Sequence, residues 1–377
     1  MPGLLPDVDP EGLLEYSVVY TDRALNHMST RFQGVLRDVS SVLKQVYSAR
    51  SAIVVPGSGT FGMEAVARQF AGGQKCLVLR NGWFSFRWSQ ILEMGRIASE
   101  VRVLKARPID DARQAAFAPA PLGEVLAAIE GQRPGVVFAP HVETASGILL
   151  PDEYLRAVAA AVHAVGGILV IDCVASGALW LDMAALGIDV LLSAPQKGWS
   201  GPACCALVML GKEARQRIET TTSSSFACDL RKWLQIIETY EGGGFAYHAT
   251  MPTDALARVR DAMFETRAFG LEDARKAQQA LGREVRALLA RKTFRSVAAP
   301  GFEAPGVVVS HTDDIDLHNG KKMIAQGLQI AAGVPLQCDE PADWRTFRVG
   351  LFGLDKLRNP ERTVATLERA LDRALAG

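Results

Sequence analysis

Between residues 50 and 210 the chain alternates short apolar runs with amphipathic segments, and this rhythm leaves few folds open. The runs are SAIVVP (51–56), KCLVLR (75–80), ASEVRVLK (98–105), GVVFAP (135–140), GILVIDCV (167–174), DVLLSA (189–194) and CALVML (205–210). Segments with helical spacing, among them FGMEAVARQFA, LGEVLAAIE and DEYLRAVAAAVHAVG, separate most of them. Such apolar runs read as strands buried on both faces, and strands joined by helical crossovers pair in parallel. The expectation is an α/β fold with a seven-stranded, mostly parallel sheet. The last two runs are joined by a turn too short for a helical crossover, so an antiparallel pair is expected there.

After about residue 252 the texture changes. A long charged helical region with a break near Gly270 is followed by a strand (GVVVS), a helix (KKMIAQGLQIAAG), a strand (TFRVGLF) and a closing helix (NPERTVATLERALDRALA). The expected organisation is an N-terminal segment (1–20), a large domain (21–252) and a small C-terminal α+β domain (253–377).

Lys+Arg and Asp+Glu both total 41, so the formal net charge is zero. That removes the electrostatic argument for nucleic acid or an anionic membrane as partner. The six cysteines form no C-x-x-C pair, and Cys204 and Cys205 are adjacent, which fits a reduced compartment. The opening MPGLLPDVDPEGLLEYS is acidic and proline-rich, unlike a signal or transit peptide, and no run reaches membrane-spanning length. A cytoplasmic location is expected.

Three places could carry chemistry. PGSGTFG (56–62) spells G-x-G-x-x-G between a strand and a helix, a turn that offers backbone N–H groups to a phosphate. A dinucleotide fingerprint should have an acidic residue about 20 positions on. The next strand ends instead in Arg80, which leaves an NADP-dependent oxidoreductase as a distant alternative. Asp172 closes an apolar strand, at the end where open α/β sheets bind ligands. It reads as a ligand carboxylate or as a buried structural one. Lys197 lies in the turn between the last two strands. Alone it reads as a solvated surface lysine, but buried beside those strands it would have to be paired, neutral or covalently used. Together, a phosphate-cradling turn, an acid and an amine at neighbouring strand ends fit pyridoxal 5′-phosphate (PLP).

The order SGT…NGWF…HVETASG…DCVAS…SAPQK…YHAT…FRVGLFG resembles the class V, fold-type I, PLP-dependent aminotransferases, and most closely their alanine/serine–glyoxylate branch. The resemblance runs from about residue 25 to the C-terminus. It implies that Ser58, Gly59, Thr60 and Gln196 hold the cofactor phosphate, and that Phe84 stacks on the pyridine, with Trp83 as the alternative. It further implies that Thr144 bonds near the ring oxygen, Val174 packs under the ring and Asp172 pairs with the ring nitrogen. Lys197 would form the Schiff base and shuttle the proton, Arg348 would grip the substrate carboxylate, and Tyr247 and Thr250 would reach the neighbouring subunit's phosphate in a homodimer. The implied reaction moves the amino group of a small amino acid to a 2-oxo acid such as glyoxylate or pyruvate. A lyase or desulfurase of the same fold is the alternative.

Two features depart from the family pattern. EYSVVYTDRALNHMS stands where a Gly-Pro-Gly-Pro-like segment is usual, and Ala194-Pro195 replaces a small polar pair. Tyr16, Tyr20 and Asn26 therefore either line a pocket of different shape or pack the N-terminus. Cys338 lies roughly where desulfurases carry their nucleophile, but Gln196 stands where those enzymes place a histidine. HTDDIDLH (311–318) reads as a solvated acidic loop rather than a metal cluster, so no metal is expected. His141 and His248 read as structural groups.

Overall fold

The structure, a computed structural model, describes residues 8–376, so residues 1–7 of the expected N-terminal segment lie outside the described residues. Twelve strands are present among them. Those up to residue 172 are β1 (Ser51–Pro56), β2 (Lys75–Arg80), β3 (Glu100–Lys105), β4 (Arg107–Pro108), β5 (Phe117–Ala118), β6 (Val136–Pro140) and β7 (Ile168–Asp172). Then follow β8 (Val190–Ser193), β9 (Cys205–Leu210), β10 (Val307–His311), β11 (Ala331–Ala332) and β12 (Thr346–Gly350).

Seven of them form one sheet in the order β1-β9-β8-β7-β6-β2-β3. All neighbours pair in parallel except β9, which runs antiparallel to both β8 and β1. The expected mostly parallel seven-stranded sheet and its antiparallel pair are both present. Because β9 opposes two neighbours, β1 points the same way as β8. The carboxyl ends of β1, β2, β6, β7 and β8 therefore share one edge, with the start of β9 beside them, which is where such sheets take ligands.

Helices cover both faces, which explains the unbroken apolar runs: Ile168 to Ile171 of β7 are fully buried. Trp88, on the helix Trp83–Met94, stacks on Phe138 of β6 with ring centroids 4.4 Å apart. The helix Thr30–Tyr47 packs against the helix Thr253–Phe269, and Gly270 (φ +102°) separates the latter from the helix Leu271–Arg291. Here the break read from the sequence falls where only glycine is relaxed. A three-stranded antiparallel sheet, β10-β12-β11, follows.

One expectation fails. KKMIAQGLQIAAG is not a single helix: only Lys321–Ala325 is helical, Gly327 sits at φ +78°, and Ala331–Ala332 pairs with Phe347 and Arg348 of β12. The edge of the small sheet claims the backbone that the apolar spacing assigned to a helix. All six cysteines are buried and free. No helix among the described residues is long and apolar enough to cross a membrane.

Candidate active site

The glycine turn is built by close approach. Gly57 adopts φ +118° and donates its N–H to Cys204 O (2.9 Å), tying the turn to the start of β9. A Cβ on Gly62 would lie 2.4 Å from Ala206 Cβ and 2.5 Å from Leu192 Cδ1, so only glycine lets the helix Gly59–Phe70 rest directly on β8 and β9. Ser58, Gly59 and Thr60 thus stand at the N-terminus of a twelve-residue helix at the ligand edge. The Ser58 hydroxyl makes no capping bond and is left for another partner.

Asp172 is the last residue of β7, between Pro140 of β6 and Leu192 of β8. It is buried, and its Oδ1 accepts the Val174 N–H (2.9 Å). Burial pushes its pKa up to about 7. The Val174 bond opposes this, Glu143 adds to it, and the cations Arg87 and Lys197 oppose it. Lys197 follows β8 in a tight turn whose Gly198 would place a Cβ 2.1 Å from Gly177 O. The lysine is half-buried, with Nζ 4.8 Å from the Phe352 ring centroid. Burial lowers its pKa, the neighbouring Arg348 lowers it further, and Asp172 works against both. The acid and the amine thus sense each other's charge across the carboxyl ends of adjacent strands.

Phe84 stands in the first turn of the helix Trp83–Met94, half-buried, with two guanidinium groups near its ring: Arg87 at 4.7 Å and Arg348 at 5.6 Å from the centroid. Arg348 projects from β12, where its Nε donates to Ala332 O (2.8 Å). Among the described residues Arg87, Lys197 and Arg348 form no ion pair. Glu143, which the sequence reading passed over, is fully buried. It accepts the N–H groups of Phe84 (3.2 Å), Ser85 (2.8 Å) and Ala145 (2.9 Å) and the Ser85 hydroxyl (2.6 Å). One carboxylate therefore fixes both the Phe84 turn and the loop carrying half-buried Thr144. The only available signal was an acid set among buried small residues in HVETASG.

No family model matches the chain. A 2-aminoethylphosphonate–pyruvate transaminase of Paraburkholderia xenovorans is 30% identical over 366 residues, covering 93% of this chain and 90% of that protein. The chain belongs to the class V, fold-type I, PLP-dependent aminotransferases. An alanine–glyoxylate aminotransferase of Rattus norvegicus is 25% identical, covering 93% of this aminotransferase and 82% of the rat protein. The crystal structure of an alanine–glyoxylate aminotransferase from Nostoc sp. shares the fold, with a TM-score of 0.76 at 21% identity and coverage of 92% and 88% of the two chains.

The aminotransferase's site suits PLP. Three cations lack carboxylate partners among the described residues, the Ser58 hydroxyl makes no capping bond, and Gly59 packs so closely on Val174 that a Cβ there would fall 3.0 Å from Val174 Cγ2, which holds the helix N-terminus at the sheet edge. Gln196 is exposed beside Lys197. Tyr247 and Thr250 bond to each other (3.0 Å) on the outer surface of the single chain.

The remaining residues singled out in the sequence have other work. His141 Nδ1 lies 2.7 Å from Ser176 Oγ, and burial pushes its pKa down to about 3, so it stays neutral. His248 Nε2 meets Phe226 O. Asp313 pairs with Arg113, Asp314 with Lys322, and no cluster among the described residues could hold a metal. The Cys338 thiol is buried and pushed up to about 12, bonding to Arg80 O, which disarms it as a nucleophile. Arg80 donates to Ser89 and to Gln337 O. Asn26 ties Glu15 to Ser17, Tyr20 bonds Met251 O, and Tyr16 is exposed.

Proposed function

We propose that this aminotransferase moves the amino group of a small amino acid, of the alanine or serine kind, to a 2-oxo acid such as glyoxylate or pyruvate. The observation that carries this reading is a set of three cations at one edge of the sheet, Arg87 and Arg348 against the Phe84 ring and Lys197 against that of Phe352, none with an ion pair among the described residues. A site this positive is incomplete without anions, and an amino or oxo acid with a phosphorylated cofactor supplies them. The relatives named for glyoxylate and pyruvate support the acceptor class.

Ser58, Gly59, Thr60 and Gln196 hold the phosphate in this reading. Phe84 and Val174 would flank the pyridine ring, Thr144 would serve its oxygen, and Asp172 its nitrogen. PLP, when bound, supplies an electron-poor ring that stabilises negative charge left at the substrate Cα. Lys197 would hold the cofactor through its amine and carry the proton at the substrate Cα. Its lowered pKa leaves it a free amine more often than a solvated lysine. Arg348 keeps Nε on Ala332 O, which leaves its two terminal nitrogens as a fork for the substrate carboxylate.

A homodimer belongs to the same proposal. Val18, Phe245 and Tyr247 leave apolar surface exposed around a groove that also contains His27 and Met28, and a second copy would cover it. Tyr247 and Thr250 would then serve the neighbour's phosphate. The division 1–20, 21–252 and 253–377 is kept, with the helix Thr253–Phe269 as the link. Six unpaired, buried cysteines support a cytoplasmic location.

The deciding experiment follows the cofactor's visible band in the purified holoenzyme. Alanine or serine alone should bleach it to the amine form of the cofactor, and glyoxylate or pyruvate should restore it. Product release with the band intact would make the enzyme a lyase.

A further inference from the structure

We propose that Arg87 is an additional ligand of the cofactor phosphate, delivered by the same helical turn that presents Phe84. This rests on the reading that Ser58–Thr60 is the phosphate cradle.

Residues 84 and 87 are three apart in the helix Trp83–Met94 and share one face. The Arg87 guanidinium lies 4.7 Å from the Phe84 ring centroid, and its Nη1 donates to Thr60 Oγ1 at 3.0 Å. It therefore bridges the aromatic wall and the helix N-terminus. Arg87 belongs to no ion pair among the described residues, and its single side-chain hydrogen bond is the one to Thr60. A guanidinium carries five N–H donors, so most of its fork is uncommitted. An arginine at a solvated face would find carboxylates or water. This one is half-buried, and Asp172 at the end of β7 feels its charge, which sets the guanidinium in the site's own field.

The alternative roles are distinguishable. Were Arg87 only a clamp on Phe84, it would support the pyridine ring whether or not the ligand carried phosphate. Were it a substrate group, it would leave cofactor affinity untouched. A phosphate ligand acts on the phosphorylated cofactor alone, through a bidentate geometry that lysine cannot copy.

The test uses the cofactor-free full-length enzyme, wild type and the variants Arg87→Gln and Arg87→Lys, titrated with PLP and with unphosphorylated pyridoxal. Wild type should prefer PLP strongly, and inorganic phosphate should compete. Arg87→Gln should weaken PLP about 10- to 100-fold while pyridoxal binds as before, the scale expected for one charge-assisted pair in a partly buried site. Arg87→Lys should fall between, which keeps the comparison open if the glutamine variant folds poorly. Equal losses for both ligands, or no loss for PLP, would overturn the assignment. If wild type itself failed to prefer PLP over pyridoxal, the cradle reading would fail, an outcome separate from any defect of the variants.

Discussion

Burial pushes the Asp172 carboxyl up to about 7, and the Val174 N–H is its one hydrogen-bond donor in the free protein. An unfolded aspartate titrates near 4. The folded value lies above the unfolded one, so this group's contribution to stability is full below about pH 4 and is lost as pH rises through about 7. Asp172→Asn removes that loss. The cofactor-free variant should be more stable than wild type at pH 8, by roughly 1–3 kcal/mol, and the gap should close by pH 4. Turnover should fall about 100-fold or more, since the ring nitrogen loses its ionised partner. Urea unfolding at the two pH values checks the first part, and equal gaps at both would reject it. Asp172 was legible from its place at the end of an apolar run. Glu143 and Arg87 were not, because their partners lie far off in sequence: backbone N–H groups near residue 84 for one, the Thr60 hydroxyl for the other.

The turn that carries Lys197 is set by two glycine backbones in contact. A Cβ at Gly198 would lie 2.1 Å from Gly177 O, and since that neighbour is main chain, the turn itself must move. Gly198→Ala should cost about 1–3 kcal/mol and weaken PLP binding at least about tenfold by displacing the lysine. Gly123→Ala, which would meet nothing within 4 Å inside the helix Leu122–Gln132, is the control and should be neutral or slightly stabilising. Unchanged denaturation midpoint and unchanged PLP affinity in Gly198→Ala would show that the turn yields freely. At this scale the sequence was most readable where apolar length and glycine punctuation agree, as in the seven sheet strands and the break at Gly270. It was least readable at 321–333. There a helix-like apolar spacing lost to edge pairing with β12, a tertiary contact that leaves no local periodic trace.

Tyr247 and Thr250 make the proposed assembly testable without a structure of the dimer. A subunit carrying Lys197→Ala keeps its tyrosine and threonine, whereas one carrying Tyr247→Ala and Thr250→Ala keeps its lysine. Each homodimer should be nearly inactive. An equimolar random mixture should recover about a quarter of wild-type activity, because about half of the pairs are mixed and each of those holds one intact site of two. No recovery in verified mixed dimers would confine both residues to their own chain.

Among the described residues β1 finds its one sheet partner in β9, far along the chain. A ribosome must therefore release nearly the whole large body before the Gly57 N–H can meet its acceptor, Cys204 O. The phosphate turn should thus close late in synthesis, and chains stalled short of residue 205 should emerge unable to take up vitamin B6.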